Sequence, residues 1–255
     1  MNEPTEHQQG EPEDRESTNP EPLTLDPPGS IAVIGAGPIG IEAALYGRYL
    51  GYDVAIFEAD SIGSSMRDQC ESPLAMLPDR CLSPLAISAL HAQRQAAGSV
   101  ATTSESEVAN RSLPMTFGQW IDHALVPLIE TDLLRGRLRT PARVTEIATV
   151  PVQPDQDGED TSDIPPDFGL NFVDRDGQRG THQVEAVIRA TGSATDADLE
   201  IKLGFPLPAP YFFQIGQDRF ADPEQDLRNG WREIVAIYAE LMGRSELDLY
   251  RPRRE

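Results

Sequence analysis

The feature that most constrains this 255-residue chain lies between Ile31 and Glu58. Four apolar residues, Ile31-Ala32-Val33-Ile34, run into Gly35-Ala36-Gly37-Pro38-Ile39-Gly40. Apolar side chains then return at Ile41, Ala44, Leu45, Tyr46 and Leu50, near helical spacing, until Gly51 stops the helix. A second β-rich run, Asp53–Glu58, follows. Strand, helix and strand within about thirty residues is the size that a parallel crossover needs. The pattern predicts an α/β fold with a parallel sheet.

Each glycine of the turn has a physical task. Gly35 permits the tight exit from the first strand, and Gly37 removes a side chain so that backbone can approach a pyrophosphate. Gly40, with Ala44 four residues on, lets the helix pack closely on the sheet. The helix begins here, so its free N–H groups and positive dipole end face an anion. Glu58, with Ala59 beside it, closes the second strand where a ribose hydroxyl needs an acceptor, and its charge repels a 2′-phosphate. A lone G-x-G-x-x-G is a weak signal, but strand, helix, small residue and terminal acid in register make it a strong one. The competing readings are a glycine turn that binds nothing and a relic of a lost site.

Further along, Pro84 to His91 reads as a short helix and 98–112 as a polar loop. Residues 116–134 return to helical spacing, with Pro127 placed to kink or split them. Residues 143–150 read as a strand and 151–167 as an acidic, Pro-rich loop. Two β-rich runs follow, 168–174 and 181–192, joined by the hairpin signal Asp174-Arg175-Asp176-Gly177. A short strand at 211–216 precedes a helix with Leu227, Trp231, Ile234, Val235, Tyr238 and Leu241 on one face. The expected organisation is a disordered acidic tail (1–28), one domain (29–245) and a fraying basic tail (246–255). The domain would carry a helical insertion at 61–140 and a β-meander at 143–190.

The formal net charge of −21 argues against nucleic acid or an anionic membrane as partner. Thirteen of those charges come from residues 1–28 and 152–167, so the remainder is only moderately acidic. Cys70 and Cys81 are too few for a disulfide framework or a thiolate metal site and read as small buried side chains. His7, His91, His123 and His182 have no metal-ligand spacing. With no basic, apolar leader and no span-length apolar run, the expected location is the cytoplasm.

The segment Ile31–Asp60 resembles the amino-terminal FAD fingerprint of the two-dinucleotide-binding flavoproteins, a superfamily of disulfide reductases and flavin monooxygenases. Ala190-Thr191-Gly192, ending an apolar strand, is similar to that family's second flavin-domain motif. Residues 211–218 before the last helix resemble its carboxy-terminal FAD element, and 116–134 weakly resembles the monooxygenase members. The resemblance implies a Rossmann-like FAD/NAD(P)-binding fold and FAD in the site, with NAD as the alternative. It places Arg143-Val144 against adenine and Gly216-Gln217 against the flavin half. It also puts Met66-Arg67 near flavin or pyrophosphate (a plain surface arginine being the competing reading) and the start of the last helix, Asp222–Asp226, near the flavin ring or pyrophosphate.

Two departures stand out. Only eighteen residues separate Gly192 from Tyr211, too few for the second nucleotide-binding domain that such proteins insert there. Many members carry aspartate directly after the glycine of the last strand, whereas here Gln217 intervenes before Asp218. The resemblance therefore implies a compact oxidoreductase fed by a small-molecule substrate or an electron-donor protein, its exposed face open to oligomerisation. The alternative is a dinucleotide-binding or interaction protein that has lost the chemistry. No residue is named as a catalytic acid or base.

Overall fold

The computed structural model describes residues 24–96, 114–151, 165–192, 201–218 and 222–251. The expected loop at 98–112, most of the acidic loop at 151–167 and most of the amino-terminal tail lie outside them. The anticipated unit is present: β1 (Ser30–Ile34), α1 (Pro38–Leu50) and β2 (Asp53–Phe57), with β1 and β2 parallel and Ile31 opposite Val54. Ile31, Ala32 and Val33 are fully buried, which is why this strand is apolar throughout instead of alternating.

Two sheets organise the chain. Five parallel strands lie in the order β3-β2-β1-β7-β9, where β3 is Leu138–Arg139, β7 Ala186–Arg189 and β9 Phe212–Gln214. The second sheet has the order β6-β5-β4-β8, with β4 at Ala142–Val150, β5 at Asp167–Asp174, β6 at Arg179–Val184 and β8 at Lys202–Leu203. Its first three strands form the antiparallel meander, while β8 joins β4 in parallel. The hairpin turn forms as its sequence predicts. Asp174 Oδ1 accepts from the N–H of Asp176 (2.9 Å) and of Gln178 (2.8 Å), and Gly177 takes a left-handed φ of 74°.

The run 181–192 is divided between the two sheets. Glu185 is the corner: its carboxylate accepts from the Ser30 N–H (2.7 Å) and hydroxyl (3.0 Å), and its own N–H donates to the Ser30 carbonyl (3.1 Å). The meander therefore ends at Val184, and Ala186–Arg189 becomes a buried central strand beside β1. The two-residue strands β3 and β8 had no pattern of their own to announce them.

Among the described residues between β2 and β3 the helical segments are α2 (Ser64–Arg67), a 3₁₀ turn (Pro78–Cys81), α3 (Pro84–Ala96), and α4 (Phe117–Trp120) with α5 (Val126–Ile129). The α3 helix is longer than the short one expected. Between α4 and α5, residues Ile121–Leu125 form a π turn, with the Val126 N–H bonded to the Ile121 carbonyl. Pro127 lacks an N–H and its ring would crowd the carbonyl four residues back, so one wider turn takes up the conflict without a break. The helix ends at Ile129, short of the expected 134.

The folded body reaches past both expected boundaries. Leu25 is buried, its N–H bonds the Leu241 carbonyl at 2.7 Å, and its carbonyl accepts from the Tyr52 hydroxyl at 2.7 Å. At the other end Leu247, Leu249 and Tyr250 pack on the core. The Leu249 N–H donates to the Tyr46 hydroxyl at 3.0 Å. Tyr46, Tyr238 and Tyr250 form a ring cluster with centroids 5.1 Å apart in two of the pairs, and Trp231 lies 5.9 Å from Tyr250. The last helix, α6 (Pro223–Leu241), brings Tyr238 to α1, where Gly47 leaves room for the Tyr238 hydroxyl to reach the Ala43 carbonyl at 2.9 Å.

Beneath this cluster Glu42 is buried on α1 and receives a hydrogen bond from Ser83. The Tyr250 hydroxyl also faces this carboxyl, outside standard hydrogen-bond geometry. Burial pushes the Glu42 carboxyl up to about 7. The folded state therefore holds this proton more tightly than the unfolded chain does, and stability falls as pH rises from about 4.5 through 7. Glu42→Gln removes the titration. In urea unfolding, the variant is expected to gain about 3 kcal/mol on the native chain between pH 4.5 and 8. A pH-independent difference would refute the assignment.

Candidate functional site

A cleft of about 960 Å³ runs along the carboxyl ends of β2, β1, β7 and β9. Each strand hands its chain to the cleft directly after its last paired residue: Glu58 after β2, Gly35 after β1, Ala190 after β7 and Ile215 after β9. Strand order reverses between β1 and β7, because β1 continues to β2 on one side while later strands add on the other. Ligands of open parallel sheets bind at such a reversal. The fold is Rossmann-like.

The glycine turn is built by backbone approach. Gly35 has φ 109°, and a Cβ there would sit 2.6 Å from the Ala190 carbonyl. At Gly40 a Cβ would run into the Gly35 carbonyl and come within 3.3 Å of the Ala190 Cβ. Gly37 differs: a Cβ would meet nothing within 4 Å, although the residue lines the cleft. Its missing side chain leaves space that the protein itself does not use. Gly37 is also the N-cap of α1 with no side-chain cap, and Pro38 opens the helix. The dipole end of a thirteen-residue helix thus faces the cleft uncapped.

Glu58 is buried and three donors converge on it. Oε2 accepts from the Ala36 N–H at 2.8 Å, while Oε1 accepts from the Asp60 N–H at 3.0 Å and the Ser64 hydroxyl at 3.2 Å. The carboxylate ties the end of β2 to the glycine turn and still lines the cleft. Thr191 is held by the buried Arg189, whose Nε donates to its Oγ1 at 3.2 Å. The Gly216 N–H is engaged by Glu233 of α6 at 2.7 Å.

Of the residues singled out in the sequence, Gly35, Gly37, Pro38, Ile39, Glu58, Ala59, Val144, Ala190, Thr191, Gly192 and Gly216 line one cleft. Ala36 and Gly40 stand behind it as framework. Arg67 and Gln217 are not in its lining. The Arg67 guanidinium turns to the Ile62 carbonyl (3.3 Å) and lies 3.9 Å from Asp122, while Met66 lines the cleft. Gln217 donates to Gln214 at 3.0 Å, and Asp218 takes the lining position. The start of α6 contributes Pro223, Asp226 and Leu227. Cys81 lines the cleft as a thiol pushed up to about 12 by burial, with Glu224 adding to the shift.

Phe117 and Trp120 were legible only as one face of a helix, yet both also line the cleft. Sequence spacing gives no sign of this, because core and cleft wall are both apolar. His91, His123 and His182 stay outside the lining, and no group of metal-ligating side chains occurs among the described residues. Burial, then the Arg139 guanidinium, lower the His182 pKa. No helix among the described residues is long and apolar enough to cross a membrane.

No family model and no curated protein matches the sequence. Solved structures do. The bacillithiol disulfide reductase of Bacillus cereus aligns with 64% of this chain and 40% of its own at 17% identity and a TM-score of 0.42. The ornithine hydroxylase of Pseudomonas aeruginosa aligns with 67% of this chain and 39% of its own at 14% identity and a TM-score of 0.45. The ornithine N-hydroxylase of Kutzneria sp. 744, solved with reduced FAD and NADP⁺, aligns with 64% and 37% at 16% identity and a TM-score of 0.43. The chain thus spans about two-fifths of the length of these proteins.

The two glycines separate framework from site. Gly40→Ala forces backbone apart and is expected to cost about 1–3 kcal/mol in urea unfolding. Gly37→Ala is expected to unfold within about 0.5 kcal/mol of the native chain, since its methyl enters open space. Equal losses at both positions would show that Gly37 serves packing alone.

Proposed function

We propose that this chain is an FAD-binding flavoprotein and an oxidoreductase that carries no NAD(P)H-binding domain of its own in the usual insertion point between Gly192 and Tyr211. The observation behind this reading is the continuous cleft along four strand ends, crossed at the strand reversal by a side-chain-free Gly37 and an uncapped helix. Neighbouring strands lie about 4.8 Å apart, so four strand ends suit an extended dinucleotide better than a mononucleotide.

In this reading Gly37, Pro38 and Ile39 receive the pyrophosphate through the start of α1. Glu58 and Ala59 meet the adenosine ribose, and the backbone of Val144 meets adenine. Ala190, Thr191, Gly192 and Gly216 bound the second half, with Asp218 in the role the sequence suggested for Gln217. The residues present fit the group, since Gly37 leaves the space that a phosphate needs. Bound flavin would supply the electron chemistry, while the protein positions it and sets its electrostatics. Electrons would come from a substrate meeting the flavin directly or from a donor protein.

One observation favours a second reading, in which the chain holds a dinucleotide without turning it over. Among the described residues no histidine lines the cleft, and the thiol there is held protonated. The fold by itself does not decide between the two. NAD remains the alternative ligand, because Glu58 suits the adenosine ribose of either dinucleotide.

The deciding experiment is an absorption spectrum of the desalted protein with FAD and NAD titrations. The expected result is retained flavin absorbance, FAD binding at least about tenfold tighter than NAD, and a loss of at least about tenfold in Gly37→Ala. A colourless protein that does not titrate with FAD would refute the flavoprotein reading. Retained FAD without photoreduction or transfer to any acceptor would favour the non-catalytic one.

A further inference from the structure

The segment that follows α6 closes over a buried acid. Leu247, Leu249 and Tyr250 pack on the core, and beneath them lies Glu42 of α1, 4% exposed. Its other walls come from α3 and α6. At the start of α3 the Ser83 hydroxyl donates to Glu42 Oε1 and accepts from the Ala86 N–H at 3.1 Å. Tyr238 of α6 stacks on Tyr46 of α1 at 5.1 Å, and the Tyr250 ring meets Tyr46 edge-on at the same separation.

No counter-charge among the described residues reaches this carboxyl. Ser83 and Tyr250 are the groups that bear on it, and Tyr46 and Tyr238 are the other titratable members of the cluster. Burial pushes all three phenols up, so they stay neutral wherever Glu42 titrates. Asp248 faces Tyr46 and is paired with Arg251 at 2.8 Å. Of the strands packed on α1, β1 has no charged residue, while Asp53 of β2 pairs with Arg137 and Arg189 of β7 donates to Thr191. An ionised Glu42 under the closed segment therefore has two hydroxyls and no cation, and burial outweighs both hydroxyls.

The walls are not equally firm. The α1, α3 and α6 helices run for 13, 13 and 19 residues. Residues 247–251 have no helix or strand. Apart from the local bond of the Leu247 N–H to the Arg244 carbonyl, their backbone is tied to the described body by the Leu249 N–H on the Tyr46 hydroxyl, at 3.0 Å. Local opening starts at such weakly tied elements.

We propose that Leu247–Arg251 is a proton-controlled latch, closed over Glu42 while that carboxyl is protonated and opening more often once it ionises. Opening admits water to the carboxyl. The latch is held most firmly below about 4.5, the ordinary value, and loosens as pH rises through about 7, the value under the closed segment. If opening restores the ordinary value, the opening constant rises about seventyfold between pH 5 and 8. The device needs no ligand, so it stands apart from the flavoprotein reading.

Hydrogen exchange of the full chain, followed by mass spectrometry between pH 5 and 8, tests it. Three peptides are compared: 245–250, the hairpin at 174–180, and β1. The hairpin lies away from Glu42 and serves as the internal reference for the intrinsic pH dependence of amide exchange. The 245–250 peptide is expected to exchange faster than β1 at every pH, and to gain about seventyfold on the hairpin between pH 5 and 8. Glu42→Gln is expected to abolish that gain. In Tyr250→Phe, which keeps the ring and removes one of the two hydroxyls that favour the ionised carboxyl, the gain is expected to continue to higher pH.

Exchange of 245–250 at the β1 rate would overturn the latch, because the segment would then open only when the whole fold does. A gain that survives in Glu42→Gln, or no gain in the native chain, would overturn its control by this proton. An identical pH profile in Tyr250→Phe would overturn the contact between Tyr250 and the carboxyl.

Discussion

The closeness of the first turn of α1 to the backbone that leaves β1 sets the geometry of the whole carboxyl edge. Gly40 lies against the Gly35 carbonyl with no room for a Cβ, and a Cβ on Gly35 would in turn sit 2.6 Å from the Ala190 carbonyl. Three stretches of backbone, from β1, α1 and β7, therefore meet with no side chain larger than the Ala190 methyl between them. Packing of this kind leaves little room for adjustment, because a single methyl group must displace main chain. It fixes where the helix dipole points and makes the strand reversal a cleft.

Glu58 extends that constraint sideways. A carboxylate facing a dinucleotide site is usually discussed as a ribose acceptor, yet here it also takes the Ala36 N–H and joins the end of β2 to the glycine turn. Asp60 and Ser64 satisfy the other oxygen and hold the start of the helical segment in place. The residue that would set ligand preference in the proposed reading thus stabilises the turn the ligand would rest on. Removing it would affect fold and binding together, which makes Gly37 the cleaner probe of the site.

The sequence was informative wherever chemistry and local geometry coincide. Gly35 to Gly40 and Glu58 could be read because each residue type answers a backbone requirement within a thirty-residue unit. The same local logic exposed the Asp174–Gly177 hairpin and the apolar face of α6. It failed where the decision was tertiary. Nothing within residues 181–192 marks Glu185 as the corner between two sheets, since its partner Ser30 lies 155 positions away. Leu247 to Tyr250 look like the approach to a basic tail until Tyr46 and Trp231 supply the surface they pack on. Trp120 reads as core by spacing, and it is both buried in the core and part of the cleft lining.

Electrostatics poses the hardest question for this site. Glu58, Asp60, Asp68, Asp218 and Asp226 line the cleft, against Arg143 as the cation among the described lining residues. On the proposed reading, side-chain charge would not be what attracts a doubly charged pyrophosphate. The attraction has to come from neutral dipoles: the uncapped N–H groups of α1 and the partial positive charge at its end, acting over a few ångströms where screening is weak. Binding through dipoles gives up long-range steering and gains selectivity. An anion seated on α1 is held by that short-range contact, whereas an additional phosphate anywhere else in the cleft meets carboxylates and no compensating helix end. In the proposed reading, a surplus of acids around a single dipole site would therefore discriminate by charge count, favouring dinucleotides that carry the pyrophosphate alone.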